Sequence, residues 1–574
     1  MSSVILLFVS AIGYLIAYHT YGKFLSHKIF SICAKNITPA QTMRDDIDFV
    51  PSKKQVVFGH HYASIAGTGP IVGPAIGIIW GWVPAIIWIL FGSIFMGAVH
   101  DLGSLVISLR NRGESIGEIS RRLINPRVRL LFLLVIFFSL WIVVAIFCLV
   151  MAVLFNMFPE SVIPIWTQIP IAIALGNYLH RNSKHTVIMT VAAVVLMYIT
   201  IIIGSYIPVT MPTVFGISPL TSWTIILLIY TYIASVIPVW KLLQPRDFIN
   251  AYQLLVALGL LFFGIVAAQA PIVAPAFNFH PQGAPPLLPF LFVTIACGAI
   301  SGFHCMVSSG TTSKQLSTEP DAIFVGFGSM LIEGFMAIMV VIAVSAGIGM
   351  MVKNTDGTTL TGVQAWSHFY SSWGAMEGLS AKVGAFVKGA ANLLNAIGIP
   401  HSIGITLMGV FVASFAGTTL DTSTRIQRYV INEVAHTTNL NFLKGRHGAT
   451  LIAVLFAALL ALSQGGGKGG LILWPLFGTS NQLLAGLSLL ATTVYLLKKK
   501  KPALYTFIPM VFIILFTGWA MIHNLSTFFQ DGKWHLFFIG GAILVLELWM
   551  IAETAIMHFT TRKNDGFYAK SQQF

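Results

Sequence analysis

The chain has 574 residues, of which 56% are hydrophobic and only 9% charged, and its mean hydropathy is +0.83. A soluble domain is about 25% charged, so a soluble enzyme, a secreted disulfide scaffold and a disordered chain are excluded. Cys33, Cys148, Cys297 and Cys305 show no paired spacing. They read as packing residues, with no disulfide and no metal site among them. The net charge of +14 does not indicate a nucleic-acid partner, because of where it lies.

Apolar runs of about 20 residues read as membrane-spanning helices. The fold class expected is an all-α polytopic membrane protein with about fifteen spans, at 2–20, 56–80, 84–109, 128–155, 162–178, 186–208, 222–240, 250–270, 287–310, 322–351, 401–423, 448–464, 470–497, 503–523 and 535–559. The first run has no basic start and no A-x-A site, so it reads as a span and not a cleaved signal. With the N-terminus outside, the inner loops hold 28 of the 33 Lys and Arg residues and the outer loops hold 5. This is the positive-inside pattern. It predicts an inside C-terminus, with Lys498–Lys501 as a topology anchor near anionic lipid.

Two spans are interrupted. The first runs from Gly59-His60-His61 through Ser64, Gly67-Thr68-Gly69-Pro70 to Gly73-Pro74, and the second from Cys297-Gly298 through Ser301, His304 and Ser308-Ser309-Gly310 to Thr311-Thr312. Glycine weakens a helix and proline removes a backbone donor. Broken backbone at membrane depth is tolerated only inside protein or beside a water-filled cavity, where freed amides and helix ends bind ions. The alternative is small-residue packing between helices. By the span count the two breaks run in opposite directions. This predicts inverted five-helix repeats at 56–208 and 287–497, a LeuT-like 5+5 core by analogy. Residues 1–55 then form a first helix and cytoplasmic loop, 209–286 two inserted helices, and 498–574 two last helices with a short tail. Amphipathic stretches follow spans 3 and 11, and a long outer segment (355–400) follows span 10.

Three stretches carry a resemblance: Phe58-Gly59-His60-His61-Tyr62-Ala63-Ser64-Ile65-Ala66-Gly67-Thr68-Gly69-Pro70-Ile71-Val72-Gly73-Pro74, Gly97-Ala98-Val99-His100-Asp101, and Ala413-Ser414-Phe415-Ala416-Gly417-Thr418-Thr419-Leu420-Asp421-Thr422-Ser423-Thr424-Arg425. They closely resemble the carbon starvation protein A (CstA) family. The resemblance implies inner-membrane carriers of peptides or pyruvate, proton-coupled where this is understood, with a LeuT-like fold.

Ionisable groups at a helix centre cost at least about 2.5–3.5 kcal/mol on insertion scales, so they face the bundle interior. For substrate, the expected contacts are His61, Ser64 and the backbone at Gly67, Thr68 and Gly69 from the first break. Ser301, His304, Ser308 and Ser309 join them from the second, as donors to a carboxylate. For the coupling ion, the candidates are His60, whose side-chain type titrates near neutral pH, the His100–Asp101 pair, and Glu333, an isolated acid midway along span 10. Asp101 is expected to orient a histidine of span 2. Thr418, Thr419 and Asp421 end span 11, where LeuT-like carriers use a Ser/Thr pair for sodium; the structural alternative pairs Asp421 with Arg425. Glu547 and Glu553 read as helix-packing groups. The turn around Lys468 lacks the G-x-x-x-x-G-K-[ST] pattern and is not a phosphate loop.

The function expected is secondary active import of short peptides or pyruvate by proton symport and alternating access, in a bacterial cytoplasmic membrane, with the N-terminus outside. No enzyme activity and no cofactor is expected beyond the coupling ion, H+ or alternatively Na+. The partners expected are membrane lipid and the substrate. The alternatives are a sodium-coupled carrier of another small carboxylate, a channel, or a metal-binding membrane protein.

Overall fold

The computed structural model describes every residue except 1, 182–184, 214–215, 354–356, 377, 439, 464–472 and 572–574. Lys468 and its turn therefore lie outside the described residues. In chain order the main helices are α1 (Ser3–Ile29), α2 (Lys54–Ala66), α3 (Gly69–Trp80), α4 (Trp82–Arg110), α5 (Ile116–Leu123), α6 (Pro126–Met157), α7 (Val162–Arg181), α8 (Thr186–Tyr206), α9 (Pro219–Val236) and α10 (Leu243–Ala268). They continue with α11 (Leu287–Thr294), α12 (Gly302–Gly310), α13 (Glu319–Met350), α14 (Gly362–Tyr370), α15 (Leu379–Asn395), α16 (His401–Thr438), α17 (Arg446–Leu462), α18 (Trp474–Lys498), α19 (Leu504–Gln530) and α20 (Trp534–Ser571). A short hairpin pairs Val352–Lys353 with Thr359–Leu360.

Among the described residues, twelve helices are long and apolar enough to cross a membrane, and α2 with α3 makes a thirteenth, bent by 41°. Of the fifteen expected spans, two fall outside this count. Segment 287–310 is two short helices, α11 and α12, joined by non-helical backbone, and α17 is an apolar helix of only 17 residues.

Burial separates the layers. The apolar windows of α18, α13 and α16 are 94%, 89% and 83% buried, those of α8 and α20 only 28%. The outer helices turn side chains such as Ile12, Leu15, Val187, Ile188, Leu548 and Ile556 outward, a surface suited to lipid tails. The two longest central helices, α6 and α16, pack along each other. Asn125 starts α6 by accepting from the Val128 amide, ahead of Pro126 at the first helical position. Helix α10 packs on α2, as α18 packs on α12; α9 packs on α6 and α16, as does α17. Helices α7 and α8 pack on each other and on α10, and α8 also packs on α16.

The two interruptions cross. Gly67 ends α2 with φ +49°, a conformation that L side chains rarely adopt. Beyond it α3 lies directly on the second break. A Cβ on Gly69 would collide with the Cys297 side chain, and one on Gly73 would sit 2.5 Å from the Thr294 carbonyl oxygen. Such contact needs glycine, so Gly73→Leu is expected to lower stability by about 1–3 kcal/mol, the cost of overpacking. A lowered melting temperature of purified protein checks this. Gly541→Leu, at a position with no atom within 4 Å of the added carbon, should leave it unchanged.

Candidate functional site

Two buried polar clusters flank the crossing. The first joins α4, α12 and α13. Asp101 accepts from both neighbouring histidines, His100 Nδ1 at 2.8 Å and His304 Nδ1 at 2.9 Å. With its proton on Nδ1, His304 points Nε2 at Glu333, 3.4 Å from Oε2. All four side chains are fully buried. The orienting partner of Asp101 is thus the second broken helix, not the histidines of the first as expected from sequence. Among the described residues, His100 Nε2 and both Glu333 carboxyl oxygens have no hydrogen-bond partner. Three elements therefore converge on a short chain of groups able to hold or pass a proton.

The second cluster ties α2 to α10, α12 and α16. His60 Nδ1 donates to Asp247 at 2.6 Å, and its Nε2 lies 2.9 Å from the Thr311 hydroxyl. That hydroxyl also accepts from Gln315, so its own proton is available to His60. His61 Nδ1 pairs with Thr312 at 2.8 Å, while its Nε2 has no partner among the described residues. Adjacent histidines of one broken helix thus meet adjacent threonines just past the other. Arg246 bridges Asp247 at 3.0 Å and Asp421, and the Tyr230 hydroxyl also donates to Asp421 at 2.7 Å. Asp421 therefore pairs with Arg246, not with Arg425 four residues on.

The remaining candidates divide. Thr68 and Ser308 each have a buried hydroxyl with no partner among the described residues. Ser309, in contrast, donates to the Cys305 carbonyl and accepts from the Ile116 amide at the start of α5. Its role is to seat that helix. Ser301 and the Phe303 amide are held by Asn481 of α18. Thr419 donates to the Ser64 carbonyl at 3.2 Å, and Ser64 and Thr422 share a hydroxyl contact at 2.9 Å. Thr418 turns to Asn250 instead. Among the described residues, no group of three or more His, Cys, Asp or Glu side chains is arranged to hold a metal ion.

Sequence reasoning missed Arg246, Asp247, Asn250, Tyr230, Asn481, Thr312 and Thr422. Arg246, Arg425 and Arg428 were expected in cytoplasmic loops, yet each is at most 4% exposed and lies within a helix. An Arg-Asp pair next to an apolar run was the available signal.

Access differs between the two faces. On the face away from Lys498–Lys501, a cavity of about 750 Å³ reaches down to Gly69 and Cys297, with Trp373, Lys382, His523 and Lys533 around it. On the basic face the loop before α2 is tied down. Asp48, in the loop before α2, accepts from Arg425 at 3.0 Å, Arg428 at 3.1 Å and Tyr429 at 2.6 Å. Behind it, the Ser52 amide donates to the Gln315 carbonyl, and Gln244 donates to the Gln315 side chain. Burial opposes ionisation of Asp48, but Arg428, Arg425, Lys314 and the Tyr429 hydroxyl outweigh it and hold the carboxyl at about 2.

A many-helix membrane body with two crossed broken spans, a polar centre and access from one face is the architecture of a transporter. The chain belongs to the carbon starvation protein CstA family, whose model matches residues 2–520. It is 33% identical to the peptide transporter CstA of Campylobacter jejuni, over 93% of this chain and 82% of the relative. It is 32% identical to the pyruvate/proton symporter BtsT of Escherichia coli, over 88% and 80%, and 30% identical to the peptide transporter CstA of Bacillus subtilis, over 91% of each. The crystal structure of MhsT with L-phenylalanine matches with a TM-score of 0.47 at 12% identity, over 87% of this chain and 98% of that one.

A depressed carboxyl contributes stability above its unfolded value, and that contribution is lost only as the pH falls toward the folded one. For Asp48 this window runs from about 4 down to about 2, so the contribution of Asp48 to the closure should not change between pH 5 and 8. In a Cys33→Ser background, a cysteine at the buried Val57 should stay unlabelled across that range. Asp48→Asn should make it reactive, and an Asp48→Asn variant that stays unlabelled would contradict the assignment.

Proposed function

We propose that the chain is a secondary carrier that imports a small carboxylate, pyruvate or a short peptide, together with a proton by alternating access. The observation that carries this reading is the His100–Asp101–His304–Glu333 chain, fully buried and beside the breaks. Substrate would sit between the breaks at the foot of the cavity, its carboxylate taking the open hydroxyls of Thr68 and Ser308 and the freed amides near Gly69. A proton on the His304–Glu333 pair would bias α13 against α12, and its release would accompany opening of the Asp48 closure. The names of the relatives support both substrate classes and the proton. We take the membrane to be the bacterial cytoplasmic one, with the basic face inside, the N-terminus outside and the C-terminus inside.

The packing pairs support one change in the repeat boundaries. Helices α9 and α10 hold the places in the first half that α17 and α18 hold in the second. We therefore take the first repeat as 54–157 with 219–268, and the inserted pair as 162–206, in place of 209–286.

A second reading is sodium coupling. Across α2 and α16 the Ser64 carbonyl meets the Thr419 hydroxyl and the Ser64 hydroxyl meets that of Thr422, an oxygen-only set of the kind a hard cation takes.

Uptake of labelled pyruvate and a labelled dipeptide by purified protein in liposomes tests the reading, under an imposed proton or sodium gradient. Accumulation with the proton gradient supports it; accumulation with sodium alone favours the second reading, and no uptake of either substrate removes both. Glu333→Gln should lower pH-driven accumulation about tenfold or more, the scale of a coupling free energy of about 1–3 kcal/mol, while counterflow exchange stays near the parent. Thr68→Val and Ser308→Ala should each raise KM about tenfold, as for a lost hydrogen bond to a charged group, and Ser309→Ala should lower stability instead.

A further inference from the structure

Away from the crossing, a second large cavity of about 610 Å³ opens on the basic face. It lies where the inner ends of α1, α4 and α18 meet the start of α13 and the loop 30–42. Four cations line it, Arg110, Arg112, Lys499 and Lys501, against one carboxylate, Glu319. That carboxylate is already committed: Oε1 accepts from Arg110 at 2.5 Å, and Oε2 accepts from the Cys33 amide and the Asn36 side chain. Arg110 also donates to the Ser31 carbonyl, and Lys501 to the Ser31 hydroxyl at 2.8 Å. The loop and the cavity wall are therefore built and held. The side chains of Arg112 and Lys499, both exposed, make no hydrogen bond or salt bridge among the described residues, although Arg112 lies close enough to Glu114 to feel its charge. Arg112 sits at φ +58° in the turn after α4, beside Gly113 at φ +66°, a costly conformation for a long side chain.

We propose that this cavity binds a phosphate-bearing anion, with Arg112 and Lys499 as its open ligands and Lys501 and Arg110 as the positioned ones. Its volume lies in the range of small-ligand pockets, and Arg with Lys is the pairing that takes phosphate oxygens. Basic pockets between helices at a cytoplasmic membrane face bind anionic headgroups. A soluble phosphate compound offers the same chemistry. The site borders α4 and α13, which carry Asp101 and Glu333, and α18, which holds the second break through Asn481. A bound anion would therefore favour one arrangement of these helices. The binding itself is independent of the transport reading.

The test is the melting temperature of the detergent-purified full chain. It is measured with phosphatidylglycerol, with phosphatidylcholine, and with inorganic pyrophosphate. Phosphatidylglycerol or pyrophosphate is expected to raise it by a few degrees above phosphatidylcholine or buffer. The first response alone assigns the lipid headgroup, the second alone a soluble phosphate. Arg112→Gln with Lys499→Gln should lose most of the shift. Lys23→Gln with Lys28→Gln, which removes two cations of α1 outside the cavity lining, should keep it. No shift in the parent, or equal loss in both double variants, would overturn the site. If the first double variant does not fold, Lys501→Gln replaces it, and an undiminished shift there would overturn it equally.

Discussion

A carboxylate sealed from water inside a membrane protein must find its donors within the chain, because nothing in the hydrocarbon supplies them. Asp101 meets this demand with two imidazoles, one from its own helix and one from the second broken span. That single pairing fixes the rotation of α4 and the depth of α12. It also aims the far nitrogen of His304 at Glu333 on α13. The crossing of the two breaks depends on this anchoring, since α12 has only nine residues and little helical cooperativity of its own.

The cluster on the other flank follows the same logic with opposite partners. Two aspartates, Asp247 and Asp421, share Arg246, and His60 donates to Asp247 as Tyr230 does to Asp421. Breaking a buried pair of this kind strands a charge and costs far more than the intact pair contributes. Its use here is specificity: it fixes how α2, α10 and α16 register beside the breaks.

The breaks themselves were legible, because Gly67, Gly69 and Pro70, or Gly298, Ser301 and Gly302, leave a helix few alternatives. Glu333 and His304 stood out as polar groups in apolar runs, and both reach the first cluster. What the sequence did not reveal is who meets whom. Asp247 is 187 residues from His60, and no local pattern encodes that contact. Counting Arg246, Arg425 and Arg428 as loop charges rested on their place at the ends of apolar runs; the helices extend beyond those runs and bury them. Ser309 looked equivalent to Ser308 by composition, and only the packing of α5 separates a seating residue from an open one.

The glycine contact between the broken spans has a kinematic consequence. At Gly73 the backbone of Thr294 and Ile295 lies directly against the helix, while at Gly69 and Gly77 the side chains of Cys297 and Ile295 fill the space the glycines leave. Surfaces meshed at that distance cannot slide past one another without first separating. The two breaks therefore behave as one rigid part with a single shared motion, and both walls of any space between them shift together.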